Sequence, residues 1–251
     1  MKRYKLAILL LAGVISACEV SNESQQTNVL PSSPVDSRIE WPPPSNDTQS
    51  VVVARDLLAT DYEVVLDSSG SMDGRACGSK VSKSEAAKQA LKVFATRVPA
   101  GANLGLIVFD SDGITERVAL GTGSANRTAF MDAVMRTKPG GGTPLWHAIT
   151  LAKEKIEAQG RSQLGYGQYH IVVVTDGEAD ITSNPASVVN EINTRSPIII
   201  HTVGFCIGED HSLNQPGRIF YREAASPEQL QEGLTEVLAE SPTFDVLKFE
   251  D

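Results

Sequence analysis

Residues 62–71 read YEVVLDSSGS, and the reading of the fold begins there. Tyr62, Val64, Val65 and Leu66 form a short apolar run that stops at Asp67 and gives way to a Ser/Gly turn. Such a run, bounded by turn residues, predicts a strand. Downstream, Ser82-x-x-Glu85 has the form of a capping box. Ala87, Ala90, Leu91, Phe94 and Val98 then recur at helical spacing, and Pro99 closes the helix. Residues 104–110 (LGLIVFD) predict a second strand, 114–120 an edge strand and 126–138 a helix. Thr143-Pro144 reads as an N-cap followed by proline at the first helical position. Leu145, Ala148, Ile149, Ala152 and Ile156 supply that helix with an apolar stripe.

Residues 170–175 (HIVVVT) and 198–205 (IIIHTVGF) are nearly continuous apolar strands, with a helix predicted between them at 186–195. Strands apolar on both faces belong to a parallel sheet covered on both sides. Ser226-Pro227 opens a last helix carrying Leu230, Leu234, Val237 and Leu238. The pattern is that of an α/β domain: a doubly wound, mostly parallel sheet with helices on both faces. It occupies residues 51–241, followed by a tail at 242–251 with Phe244, Val246, Leu247 and Phe249.

The chain has 251 residues, 41% hydrophobic and 21% charged, ordinary for a soluble globular protein. Its net charge of −9 argues against a nucleic-acid partner, which requires a basic face. Lys2, Arg3 and Lys5 precede an uncharged stretch at 6–17, the pattern of a secretory signal and too short to span a bilayer. Val14-Ile15-Ser16-Ala17-Cys18 resembles a bacterial lipobox. That resemblance implies a signal peptide over 1–17, cleavage after Ala17 and membrane attachment through lipid on Cys18. Glu19, rather than Asp, after the cysteine points to the outer membrane of the cell envelope. Residues 18–50, rich in Ser, Pro, Gln and Asn and including Pro42-Pro43-Pro44, are expected to form a disordered tether.

In doubly wound sheets, ligands bind outside the carboxyl ends of the strands. Three loops there carry oxygen-bearing side chains: Asp67, Ser69 and Ser71 after the first strand, Thr143 after Gly140-Gly141-Gly142, and Asp176 before Gly177. Each alone passes for a turn or a cap. Together they offer two carboxylates and three hydroxyls, with no His or Cys among them. Oxygen-only donor sets suit Mg²⁺, Mn²⁺ or Ca²⁺ and disfavour zinc and copper. Two carboxylates balance a 2+ charge, and five donors leave room for an incoming carboxylate.

With these residues in place, the chain resembles the von Willebrand factor A domain over about residues 55–241. Asp67, Ser69, Ser71, Thr143 and Asp176 match the metal-ion-dependent adhesion site of that family, and residues 224–230 (AASPEQL) are similar to many bacterial members. The resemblance implies a Rossmann-like sheet with one antiparallel edge strand. It implies Ser69, Ser71 and Thr143 as near ligands, with Asp67 and Asp176 often acting through water. It also implies binding of an acidic side chain of a partner protein, without catalysis.

Cys77 and Cys206 follow loops at the same sheet edge and are expected to pair outside the cytoplasm. An alternative function rests on Asp110-Ser111-Asp112, similar to the nucleophile loop of haloacid-dehalogenase-type phosphatases, although no downstream Lys and acidic pair follows. A third reading is a structural envelope protein whose metal only stabilises the loops. His147, His170, His201 and His211 are scattered, with His201 expected in the sheet core. Trp146 is expected to pack rather than rim the site, and Glu178 and Asp180 to add negative charge near it or to face solvent.

Overall fold

The computed structural model describes residues 40–44, 51–209 and 211–239. The signal, Cys18, most of the tether and the 242–251 tail lie outside the described residues. The first strand, β1 (Thr60–Asp67), is flanked by β2 (Asn103–Asp110) and β4 (Gln168–Thr175), both parallel to it. β5 (Ile199–Phe205) and β6 (Phe220–Ala224) extend the sheet in the same sense, while β3 (Gly113–Val118) returns antiparallel beside β2. The order is β3-β2-β1-β4-β5-β6. The antiparallel edge strand implied by the family is thus β3.

Side chains alternate across a strand, and β1 divides the core accordingly. Tyr62, Val64 and Leu66 pack under α1 (Lys83–Arg97), α2 (Gly123–Arg136) and α5 (Pro227–Ala239). Val65 faces α3 (Leu145–Ser162) and α4 (Ala186–Arg195). Half of the capping box forms at α1: the Ser82 hydroxyl accepts the Glu85 amide at 3.1 Å, while the Glu85 carboxylate accepts Gln89 Nε2 at 2.9 Å instead of reaching back to Ser82. At α5, the Ser226 hydroxyl accepts the Gln229 amide at 3.3 Å.

Four local readings change. Thr143 does not cap α3: Pro144 holds the N-cap position and no side chain bonds there. β6, sequence FYREA, escaped the sequence reading because it is short, polar and only half covered. Its parallel partner β5 recruits it by register, not by its own pattern. Residues 40–44, assigned to the tether, pack on the domain instead. Trp41 meets Tyr169 edge-on with centroids 5.2 Å apart, and Arg161 Nη1 donates to the Pro43 carbonyl at 3.2 Å. Gly160 makes the seat: a Cβ there would lie 3.1 Å from the Trp41 ring.

Two of the scattered histidines meet in space, the fourth change. His170 Nδ1 and His201 Nε2 stand 3.0 Å apart, buried in a stack that runs Tyr62, His170, His201, Phe220 across four strands. Burial pushes His170 down to about 4 and His201 to about 3. On the other face of β1, Asp61 and Glu63 are fully buried. Burial raises Asp61 from 3.8 to about 7, against the hydrogen bond donated by Asn103 Nδ2 at 2.6 Å. Burial also holds Glu63 well above the usual carboxylate range, helped by the nearby charge of Glu116. Gly105 opposes Glu63 across the ladder, where any Cβ would collide with its carboxylate.

Candidate functional site

The carboxyl end of β1 delivers Asp67, whose side chain is buried. The chain turns at once: the Ser69 amide donates to Asp67 Oδ1 at 2.8 Å, an Asx turn that fixes the carboxylate. Thr175, the last residue of β4, donates its hydroxyl to Asp67 Oδ2 at 2.6 Å. Both carboxylate oxygens are therefore held from within the sheet edge. Burial still raises Asp67 from 3.8 to about 6, with these hydrogen bonds opposing and the charge of Asp176 adding to the rise.

From Asp67 the donors run on in one string. The Ser69 and Ser71 hydroxyls are hydrogen-bonded at 2.9 Å, and Ser71 Oγ donates to Asp176 Oδ1 at 2.7 Å. Thr143 closes the ring. A Cβ built on Gly177 would touch both Ser71 Oγ at 3.7 Å and Thr143 Oγ1 at 3.8 Å, so the two hydroxyls face the same small space. All five side chains singled out from the sequence thus meet at one edge, drawn from three loops.

The Gly-rich loop reaches this position because glycine permits it. Gly141 has φ +81°, and a Cβ there would stand 2.9 Å from the Asp110 carbonyl oxygen. Its carbonyl accepts the Gly70 amide at 3.1 Å, and the Gly140 amide donates to the Ser68 carbonyl at 2.8 Å. The first and second loops are stitched together by backbone. Asp180 backs Thr143 from the third: its Oδ2 accepts the Thr143 amide at 3.0 Å, while its own amide donates to the Thr143 carbonyl at 3.0 Å. Thr143 thereby spends its backbone on neighbouring loops and its hydroxyl on the site, which is why it does not cap α3. Glu178 lies further out, accepting the Ser212 amide at 3.0 Å.

Sequence reasoning missed three residues. Thr175 orients Asp67, as described. His211 Nε2 donates to the Gly177 carbonyl at 2.8 Å while its Nδ1 accepts the Leu213 amide at 2.9 Å, pinning the turn after Asp176. Lys83 Nζ sits 2.7 Å from Asp176 Oδ2, and the Asp176 side chain has no exposed surface. A basic residue just behind the cap of α1 was the only sequence signal for it.

The donor set fits a hard divalent cation. It consists of oxygen atoms only, and Asp67 is a carboxylate buried enough to resist ionisation, a cost that a nearby cation relieves. Among the described residues no group of three His, Cys, Asp or Glu side chains stands close enough to hold a metal. A cation here would rely on the serine and threonine hydroxyls as much as on Asp67 and Asp176.

Cys77 and Cys206 form a disulfide, with Cα atoms 5.7 Å apart. It ties the loop between Ser71 and α1 to the end of β5. Asp110 is engaged elsewhere: Oδ2 pairs with Arg117 at 2.9 Å and Oδ1 accepts the Asp112 amide at 3.0 Å. Trp146 packs, donating Nε1 to Ser187 Oγ at 3.0 Å.

Fold and site together define a doubly wound α/β domain with hydroxyl- and carboxylate-bearing loops gathered at its carboxyl edge. The chain belongs to the von Willebrand factor type A domain family, whose model matches residues 63–235. The uncharacterized protein YwmC of Bacillus subtilis (strain 168) is 29% identical over 153 residues, taking in 57% of this chain and 64% of YwmC. The chain thus spans just under two thirds of that relative. A von Willebrand factor type A protein from Catenulispora acidiphila shares the fold with a TM-score of 0.57 at 22% identity, over 73% of this chain and 43% of that one. The pilus adhesin SpaC from Lactobacillus rhamnosus GG does so with a TM-score of 0.59 at 15% identity, over 75% of this chain and 31% of SpaC.

Proposed function

We propose that the domain is a divalent-cation-dependent protein-binding module, anchored at the bacterial cell envelope through lipid on Cys18, outer membrane in preference to inner. The observation that carries this reading is the hydrogen-bonded string Asp67–Ser69–Ser71–Asp176, with Thr143 facing it from a separate loop. Ser69, Ser71 and Thr143 would hold Mg²⁺ (or Mn²⁺ or Ca²⁺) through their hydroxyls, and Asp67 and Asp176 would balance its charge. When bound, the cation supplies a Lewis-acidic contact for a carboxylate of the partner protein. The chain's own contribution is to hold the donors fixed: Thr175 and the Ser69 amide orient Asp67, His211 pins Gly177, and Gly141 lets the Thr143 loop approach. No step in this scheme makes or breaks a covalent bond, so the reading is of a binder and not an enzyme. The phosphatase alternative gains nothing from Asp110, both of whose carboxylate oxygens are already engaged.

Photo-crosslinking in intact cells, with Mg²⁺ or with a chelator, tests the reading. The wild-type chain is expected to capture a protein partner only with the cation. Asp67→Ala is expected to lose capture while keeping its circular dichroism. Cation-independent capture, undiminished in Asp67→Ala, overturns the proposal. A large thermal shift with Mg²⁺ and no partner under any condition would favour a purely stabilising metal.

A further inference from the structure

We infer that Lys83 is a built-in competitor for the cation, a tethered ammonium that keeps the site's affinity for a divalent ion low. The inference rests on the cation-binding reading above. Lys83 Nζ takes Asp176 Oδ2 at 2.7 Å, while Ser71 holds the other oxygen of the same carboxylate. Among the described residues no other basic side chain bonds to any of the five donors. The placement runs against the local field, because Lys83 is the first residue of α1, where the helix end is electropositive. The surroundings nonetheless hold it there. Its amide donates to the Gly74 carbonyl at 2.8 Å, Arg75 and Ser82 bridge across the preceding loop, and the Cys77–Cys206 disulfide ties that loop to β5.

Charge arithmetic gives the consequence. Asp67 and Asp176 ionised contribute −2, and Lys83 restores +1, so the pit stands at −1. A divalent ion entering must share or displace the ammonium at Asp176, which weakens its binding. Once bound, it leaves the pit at +1 instead of neutral, which strengthens the pull on an incoming carboxylate. Lys83 therefore trades cation affinity for ligand affinity, and by linkage the carboxylate ligand tightens the cation in turn.

Titration with Mn²⁺ alone, by calorimetry and by paramagnetic resonance of the free ion, tests this on the full chain. Lys83→Met removes the charge, and Lys83→Gln removes it while keeping a donor for Asp176, guarding against a folding defect in the first. Both are expected to bind Mn²⁺ at least tenfold more tightly than wild type, about 1.4 kcal/mol. Both are also expected to melt lower than wild type in chelator and to gain more on adding Mn²⁺. Equal or weaker Mn²⁺ binding in both variants overturns the role of Lys83 while leaving the cation site standing. Absence of Mn²⁺ binding in wild type and both variants overturns the cation reading itself, and the role of Lys83 with it.

Discussion

Asp61→Asn is expected to stabilise the domain, and the gain is expected to grow with pH. Asp61 has no exposed surface, and burial moves it from 3.8 to about 7. A carboxyl whose folded value is raised favours the native state below its unfolded value, and that favour is lost as pH climbs from about 4 to about 7. The gap of about three pH units, at about 1.4 kcal/mol each, sets a ceiling of about 4 kcal/mol on what ionisation costs the native state. Native-state relaxation lowers that, so a gain of about 2 kcal/mol at pH 8 is a reasonable target, and about 4–8 °C in melting temperature for a domain of this size. Asparagine suits the site. It keeps an oxygen for the 2.6 Å bond from Asn103, and it brings an N–H₂ beside Gln163, whose buried Oε1 accepts nothing among the described residues. The assay is urea unfolding of both chains between about pH 4 and pH 8. The buried histidines titrate across the same range with opposite sign, but they are common to both chains and cancel in the difference. A variant less stable than wild type at pH 8, or a difference flat from pH 4 to pH 7, refutes the reasoning and means that burial does not raise the Asp61 carboxyl in the native domain.

Two further outcomes concern the histidine stack and the disulfide. His170 and His201 are held down to about 4 and about 3, so the unfolded chain takes up protons first. In the Asp61→Asn background the raised carboxyls of Glu63 and Asp67 still titrate with the opposite sign, so the readout is a difference: relative to that background, His201→Phe should gain stability progressively as pH drops from about 6.5 towards 4, read from the urea midpoints. Cys77→Ser/Cys206→Ser, or reduction, is expected to cost about 2–5 kcal/mol, read by calorimetry. Full alkylation of both cysteines in the native, unreduced protein would contradict the bond.

Much of this architecture was legible because its central strands carry their own signal. VVVT at the end of β4 and the III run at 198–200 that leads into β5 carry apolar side chains at successive positions, the mark of a covered parallel sheet. β6 could not be read that way: Phe220 is exposed and Arg222 and Glu223 interrupt any pattern, so the strand exists by virtue of its neighbour. The five donors were legible as a set because D-x-S-x-S, a Gly-rich turn and Asp-Gly each follow an element that ends at the same edge. Thr175, His211 and Lys83 were not, since each acts through one partner distant in sequence: 108, 34 and 93 residues away. Trp41 was hidden by composition. A stretch of Pro, Ser, Gln and Asn reads as chain that cannot build a core, yet a single indole needs only an existing seat, and Gly160 and Tyr169 provide one.

That seat also fixes how the domain bears load. Trp41 docks beside Tyr169, which is paired with Asp61 at the amino end of β1, whereas the donors cluster past Asp67 at the opposite end. Were the proposed ligand held at the donors, a pull directed towards the amino end of β1 would run lengthwise through that strand. The hydrogen bonds from β1 to β2 and β4 are then strained together in shear instead of being peeled one after another. The docked indole, held by the Tyr169 ring and the Arg161 bond to Pro43, stands between the chain before residue 40 and that ladder, so load from the amino-terminal side meets it before it meets the sheet.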